Sequence, residues 1–380
     1  MHDFILKDII NADLTKEFKD IGYDKSYIHK AVEKFAYKNI KIFNITSAQA
    51  NIIKQTALSV GADCATNRDC ITGKAELSSC ILGGSISQLQ KIAEKLKFQP
   101  FGLKILGEMV EAQLITKSHS PVKIVGILNL TKDSFSDGGE FYEYKKAIEH
   151  LDQMITDGAD IIDIGAESTK PYSSPISDSE QLERLIPVVK YAKSKNVTIS
   201  IDTRSSKVAE ECLKLGADII NDVSGFDYDE NMPGIISKYG AKVIIQHSKD
   251  TPDKMQENPE YTNLMDEIYL ALKSKIELAI SKGIKKENII IDPGIGFGKT
   301  REDNFEIIRR IEELYGLDCP VMLGISRKSL LNMSDADNEE KDIYSTALNT
   351  LAIQKGVEYI RVHNVKMHKK LVKLTSEIVL

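Results

Sequence analysis

The 380-residue chain holds only five cysteines, no C-x-x-C pair, and no apolar run approaching the ~20 residues that a bilayer-spanning helix needs. Each shortage excludes something. An odd cysteine count in a long chain without a secretory leader argues for reduced thiols over a disulfide framework. Cys64, Cys70 and Cys80 form the only cluster, with no histidine close by in sequence, so they read as small buried thiols rather than zinc ligands. The opening MHDFILKDII places acidic residues within its short apolar segment and offers no small-residue cleavage site. It does not read as a signal peptide, and a cytoplasmic location is expected. Positive charge is also short: 50 Lys and Arg against 56 Asp and Glu give a formal net charge of -6. That balance argues against nucleic acid as a partner, while leaving room for a local basic pocket around one small phosphate ligand. With 42% hydrophobic and 28% charged residues, the chain has the composition of a soluble globular protein with no membrane partner.

The length exceeds what one core usually fills, although a barrel of about 250 residues can be a single domain. Residues 1–115 mix patterns without a repeat. Lys41–Thr46 and Ile81–Gly84 alternate like strands, while Ala48–Val60, Ser85–Lys97 and Lys104–Leu114 have helical spacing. A small α/β or α+β domain is expected there, with no catalytic constellation and no legible role. The polar KSHSP stretch ending at Pro121 reads as a linker, residues 116–121. Beyond it, eight β-branched runs alternate with helical stretches: Lys123–Leu130, Ala159–Gly165, Val197–Asp202, Ala217–Asp222, Ala241–Gln246, Asn288–Asp292, Pro320–Gly324 and Glu358–Val362. Ser177–Lys195 opens with capping-box spacing (Ser177 with Glu180), and Asn263–Lys282 is a second long helix. Eight strand-helix units over residues 122–380 predict a (β/α)8 barrel rather than an open doubly wound sheet.

In such barrels the chemistry sits at the C-terminal strand ends. Here those ends are polar: Asn129, then Thr169 and Lys170, Asp202, Asn221 with Asp222, Gln246 with His247, Asp292, Ser326 with Arg327 and Lys328, and Arg361 with His363. A single strand-end Asp usually caps a helix or braces a loop; seven polar ends beyond the first loop are harder to assign that way. The first strand empties into VGILNLTKDSFSDGGEF, a loop of small, polar and acidic residues. DPGIGFGK is not a nucleotide P-loop, because Pro293 stands where the Walker pattern needs Gly.

Taken in order, these segments resemble the dihydropteroate synthases. The likeness covers essentially all of residues 122–380 and none of the first domain. The first-loop block, INDVSG, DPGIGFGK, SRKS and RVHNV carry it; SIDT alone is weak. The resemblance implies a transferase that joins 4-aminobenzoate to the methylene of 6-hydroxymethyl-7,8-dihydropterin diphosphate, releasing pyrophosphate. It implies a pterin slot from Asp202, Asn221, Asp292 and Lys328, with Gln246 and Phe297 also against substrate. Asn129 takes the family's Mg2+ position, and Arg361 with His363 its pyrophosphate site. The loop carboxylates Asp133 and Asp137 join the catalytic set, and Phe135, Thr169, Lys170 and Ser326 the aminobenzoate pocket. Family members commonly have Pro at Lys132, Arg at Lys170, and an apolar residue at Gln246. They often pair through late helices, which suggests a homodimer. A retired pterin-binding scaffold and a folate-dependent methyltransferase share the slot. Neither needs diphosphate machinery, and no corrinoid-binding module adjoins. The Gly138–Gly139 loop is expected to close only over bound diphosphate, so that aminobenzoate binds second.

Overall fold

The computed structural model describes residues 7, 13–115, 120–130, 140–167, 176–249, 260–331 and 337–379. The chain forms two compact units, residues 1–118 and 119–380. In the first, β1 (Tyr37–Ile45), β2 (Asp63–Thr66) and β3 (Ser78–Ser85) form an antiparallel sheet in the order β1-β3-β2. It is accompanied by α1 (Leu14–Asp20), α2 (Ile28–Phe35), α3 (Ser47–Leu58), α4 (Ile86–Leu96) and α5 (Leu103–Gln113). Thr46 and Ser85 close capping boxes with Gln49 and Gln88 at the starts of α3 and α4, which fixes where each strand hands over to its helix. Ile53, Leu82, Leu89, Ile92, Leu96 and Leu103 fill this unit's own core. Its three cysteines are buried and form no disulfide, and Cys212 and Cys319 of the second unit are buried as well.

The second unit is a (β/α)8 barrel. Its strands are β4 (Lys123–Asn129), β5 (Ile161–Gly165), β6 (Thr198–Asp202), β7 (Ile219–Asp222), β8 (Lys242–Gln246), β9 (Ile289–Asp292), β10 (Met322–Leu323) and β11 (Tyr359–Val362). All pair in parallel, in the order β10-β11-β4-β5-β6-β7-β8-β9. A parallel bridge between Ile291 and Val321 joins β9 to the start of β10 and closes the ring. The intervening helices are α6 (Glu140–Thr156), α7 (Asp178–Ser194), α8 (Ser206–Lys214), α9 (Met232–Tyr239), α10 (Leu264–Ser281), α11 (Arg301–Arg309), α12 (Asn338–Gln354) and α13 (Val365–Val379). At α7, Ser177 Oγ accepts from the Glu180 N–H at 3.2 Å, while the Glu180 carboxylate pairs with Arg184. Among the described residues, no helix is long and apolar enough to cross a membrane.

Side chains alternate between the two faces of each strand. One set, including Ile124, Leu128, Ile162, Ile164, Ile199, Ile201, Val243 and Ile291, joins the large core shared with the helices. The other faces the barrel axis, where Val125, Ile161, Ile219, Ile244, Ile290, Met322 and Tyr359 form a separate apolar floor. Each fully buried aliphatic side chain contributes about 1.5–3 kcal/mol. The floor therefore anchors the axial face from which the site rises.

Candidate active site

One pleat repeat above that floor, the axial face turns polar. Two residues beyond Ile161, Ile219, Ile244, Ile290 and Tyr359 come Asp163, Asn221, Gln246, Asp292 and Arg361, and strand pairing sets Asp202 beside Asn221. All but Arg361, which is partly buried, are buried, so each must find a partner or forfeit its hydration. Arg361 supplies several. Its Nε donates to Asp163 Oδ2 and its Nη2 to Asp202 Oδ2, both at 2.6 Å. Asn221 Nδ2 donates to the same Asp163 oxygen at 3.1 Å. A guanidinium held on two edges by carboxylates has little rotational freedom left. Burial pushes the Asp202 carboxyl up to about 7, against the opposing pull of Arg361.

Asp292 ends β9, and its Oδ1 accepts from the Gly294 N–H at 2.7 Å. Gly294 has φ +71°, and a Cβ there would lie 1.9 Å from the His247 carbonyl oxygen. Only glycine lets this turn press against the end of β8. Burial raises the Asp292 carboxyl, with Lys328 opposing. Lys328 donates through Nζ to the Ile295 carbonyl and sits 4.5 Å from the centre of the Phe297 ring. Burial draws its pKa down to about 8, partly offset by Asp292. Phe297 packs on Val223, and Gln246 Nε2 donates to the Val223 carbonyl at 3.3 Å.

His363 and Ser326 form a pair: the Ser326 oxygen accepts from the His363 backbone N–H at 3.2 Å and lies 3.0 Å from Nδ1. With Oγ already an acceptor, its hydrogen is free to point at Nδ1, which leaves the His363 proton on Nε2. Burial, reinforced by Arg327 and Arg361, pulls the imidazole down to about 3. His363 is therefore a neutral donor near pH 7. Asn129 lies exposed at the end of β4. No three His, Cys, Asp or Glu side chains among the described residues converge as a metal cage. A single neutral amide oxygen fits a hard cation whose other ligands are phosphate oxygens and water.

Of the residues singled out from sequence, Asp202, Asn221, Gln246, Asp292, Phe297, Ser326, Lys328, Arg361 and His363 all lie on the C-terminal halves of barrel strands or in the turns directly after them. Asp133, Phe135, Asp137, Thr169 and Lys170 lie outside the described residues, as do Lys132 and the Gly138–Gly139 pair. Two polar ends serve the fold. Asp222 accepts from Ser224 N–H, Ser224 Oγ and Phe226 N–H, and Arg327 makes a two-point bond to Asp342 at the start of α12. Two buried groups escaped the sequence reading. Asp163 hides inside the apolar run IIDIG, where only its two-residue offset from Ile161 signals an axial position. Lys299, the last residue of DPGIGFGK, bonds His247 Nδ1 at 3.0 Å and the Phe297 carbonyl at 2.9 Å; burial lowers its pKa to about 7 and that of His247 to about 2.

Comparison with known proteins converges on the same barrel. Residues 125–363 match a family described as pterin binding enzyme. The dihydropteroate synthase of Clostridium beijerinckii is 41% identical over 259 residues, 67% of this chain and 94% of that one. A probable bifunctional folylpolyglutamate synthase/dihydropteroate synthase of Halobacterium salinarum is 33% identical over 331 residues, 84% of this chain but 40% of its own length. That match is longer than the whole barrel unit, so it reaches into the first unit. A crystal structure of the Clostridium difficile dihydropteroate synthase in the presence of pteroic acid superposes with a TM-score of 0.65 at 42% identity, covering 70% of this chain and 99% of that one. The chain belongs to the dihydropteroate synthase family of pterin-binding enzymes.

Proposed function

We propose that the barrel condenses 6-hydroxymethyl-7,8-dihydropterin diphosphate with 4-aminobenzoate, giving 7,8-dihydropteroate and pyrophosphate. One observation carries this reading: the buried layer in which Asp202, Asn221 and Asp292 offer acceptors to a donor-rich heterocycle while Lys328 and Arg361 offer charged donors. The amino and ring N–H groups of a pterin suit the Asp292 carboxylate, whose rotamer the Gly294 N–H already holds. Lys328 donates to the ring acceptors or the exocyclic carbonyl, with Phe297 beneath it.

In the reaction the arylamine nitrogen forms a bond to the pterin methylene. The methylene C–O bond breaks, its electron pair leaves with the diphosphate, and the amine loses its proton. The arylamine is neutral near pH 7 and needs no strong base; departure of the diphosphate is the harder step. Arg361 and the His363 Nε2–H face the charge that builds on the leaving group, and the carboxylates of Asp202 and Asp292 favour the positive charge developing on the pterinylmethyl carbon. A magnesium ion bound to the diphosphate, water and Asn129 would spread that negative charge further. The first-loop and second-loop residues Asp133, Asp137, Phe135, Thr169 and Lys170 complete the aminobenzoate side of this reading. A homodimer and a cytoplasmic location belong to it as well, on sequence grounds alone. Incubation of the full chain with both substrates and Mg2+ tests the proposal: dihydropteroate forms, and none forms when the pterin lacks its diphosphate. Product from the bare alcohol, or no product at all, would contradict it.

A further inference from the structure

Asp163 has no part in the reaction just described, yet two of its groups converge on it. Its Oδ2 takes Arg361 Nε at 2.6 Å and Asn221 Nδ2 at 3.1 Å, and the side chain is 0% exposed. An amide has two ends. Because Asn221 spends its NH2 on Asp163, its carbonyl oxygen is the end that remains, and that buried oxygen has no hydrogen-bond partner among the described residues. Asp163 Oδ1 and the Ser200 hydroxyl on the adjoining strand, paired with Asp163 in register, also lack partners among the described residues. Buried acceptors left open in a ligand slot call for a donor brought by the ligand or by an ordered water. With the opposite amide orientation, an NH2 group would face the pterin's own donors and repel them.

We propose that Asp163 is a positioning residue, which turns the Asn221 carbonyl toward the pterin's N–H edge and fixes the Arg361 guanidinium for the diphosphate. This rests on the reaction proposed above. Asp163 touches neither substrate in this account, its open Oδ1 being left to ordered water; it acts through two residues that do. Such a role differs from generic support of the fold in one measurable way, because a residue that works through others loses its effect once they are removed.

The test is a pair of double-variant cycles, read by calorimetric titration of the full chain with dihydropterin diphosphate and Mg2+, on variants whose thermal unfolding shows them folded. Asp163→Asn weakens binding at least tenfold in the otherwise unchanged chain. In the Asn221→Ala background, and separately in the Arg361→Ala background, the same change costs clearly less, about threefold or under. Asp163→Glu, which keeps the charge but shifts it by one methylene, replaces Asp163→Asn if the latter does not fold, with the same pattern expected. A tenfold loss that persists in both backgrounds overturns the role of Asp163, as does the absence of any loss. An unchanged chain that binds no dihydropterin diphosphate contradicts the proposed function and this role together.

Discussion

Asp222 and Asp292 end β7 and β9 of the same barrel, are both buried, and carry the same group, yet their partners separate them. Asp222 is saturated by three donors from its own turn, whereas Asp292 holds only the Gly294 N–H among the bonds described above. Asp292→Asn keeps the shape but turns a donor toward the donors of the pterin. Calorimetry should show pterin binding weakened by roughly 2–4 kcal/mol, and unchanged affinity would remove Asp292 from the slot. The same layer sets a pH profile. A ligand that needs the Asp202 carboxylate binds fully above its pKa of about 7, and loses up to tenfold per pH unit below it. A ligand that needs the Lys328 ammonium weakens above about 8. Pterin affinity measured from pH 5 to 10 should peak between these limits, and Asp202→Asn should flatten the acid limb; an acid limb that survives that substitution would assign it elsewhere. His363, held neutral, adds no inflection. What sequence could not give at this scale was partnership. Asp202, Asp222 and Asp292 look alike in a strand-end reading, and Asp163 looks like an intrusion in an apolar run, until the fold brings it within hydrogen-bond reach of Arg361.

At the scale of elements, the barrel was legible because its signal repeats. Eight β-branched runs separated by amphipathic helices have few other solutions, and each expected run contains the observed strand. The shortest, β10, narrows to Met322–Leu323 while Val321 supplies the closing bridge. The first unit was less legible. β2 is four residues long, Asp63–Thr66, and too short and polar to announce itself. β1 starts at Tyr37, earlier than its alternation suggests, because the adjacent Lys38 and Asn39 interrupt the apolar pattern. The capping spacing at Ser177 located the start of α7 correctly, but Glu180 found Arg184; spacing brings a carboxylate near the helix end without choosing its partner. A second prediction belongs here. Gly294→Ala combines a left-handed φ with a contact to the His247 carbonyl that no rotamer relieves, so it should lower stability by at least ~1–3 kcal/mol and displace Asp292. Thermal unfolding and pterin titration should both report it. An unshifted midpoint would mean that the turn relaxes freely.

At the scale of the whole molecule, every residue proposed to touch substrate lies in the 119–380 unit. We therefore propose that the first unit is dispensable for chemistry, although the reach of the Halobacterium match into it marks it as more than a private extension. A chain beginning near Ser118 should keep its turnover, and a folded, inactive barrel would show that the first unit contributes to the site. The central claim is that one buried layer both holds the pterin and releases its diphosphate to an arylamine. The most direct measurement follows both products at once, in a single incubation of the full chain with dihydropterin diphosphate, 4-aminobenzoate and Mg2+. Dihydropteroate and pyrophosphate should appear one for one, and both should fall together in Asp292→Asn. Pyrophosphate released without dihydropteroate, or dihydropteroate formed undiminished by Asp292→Asn, would contradict the account.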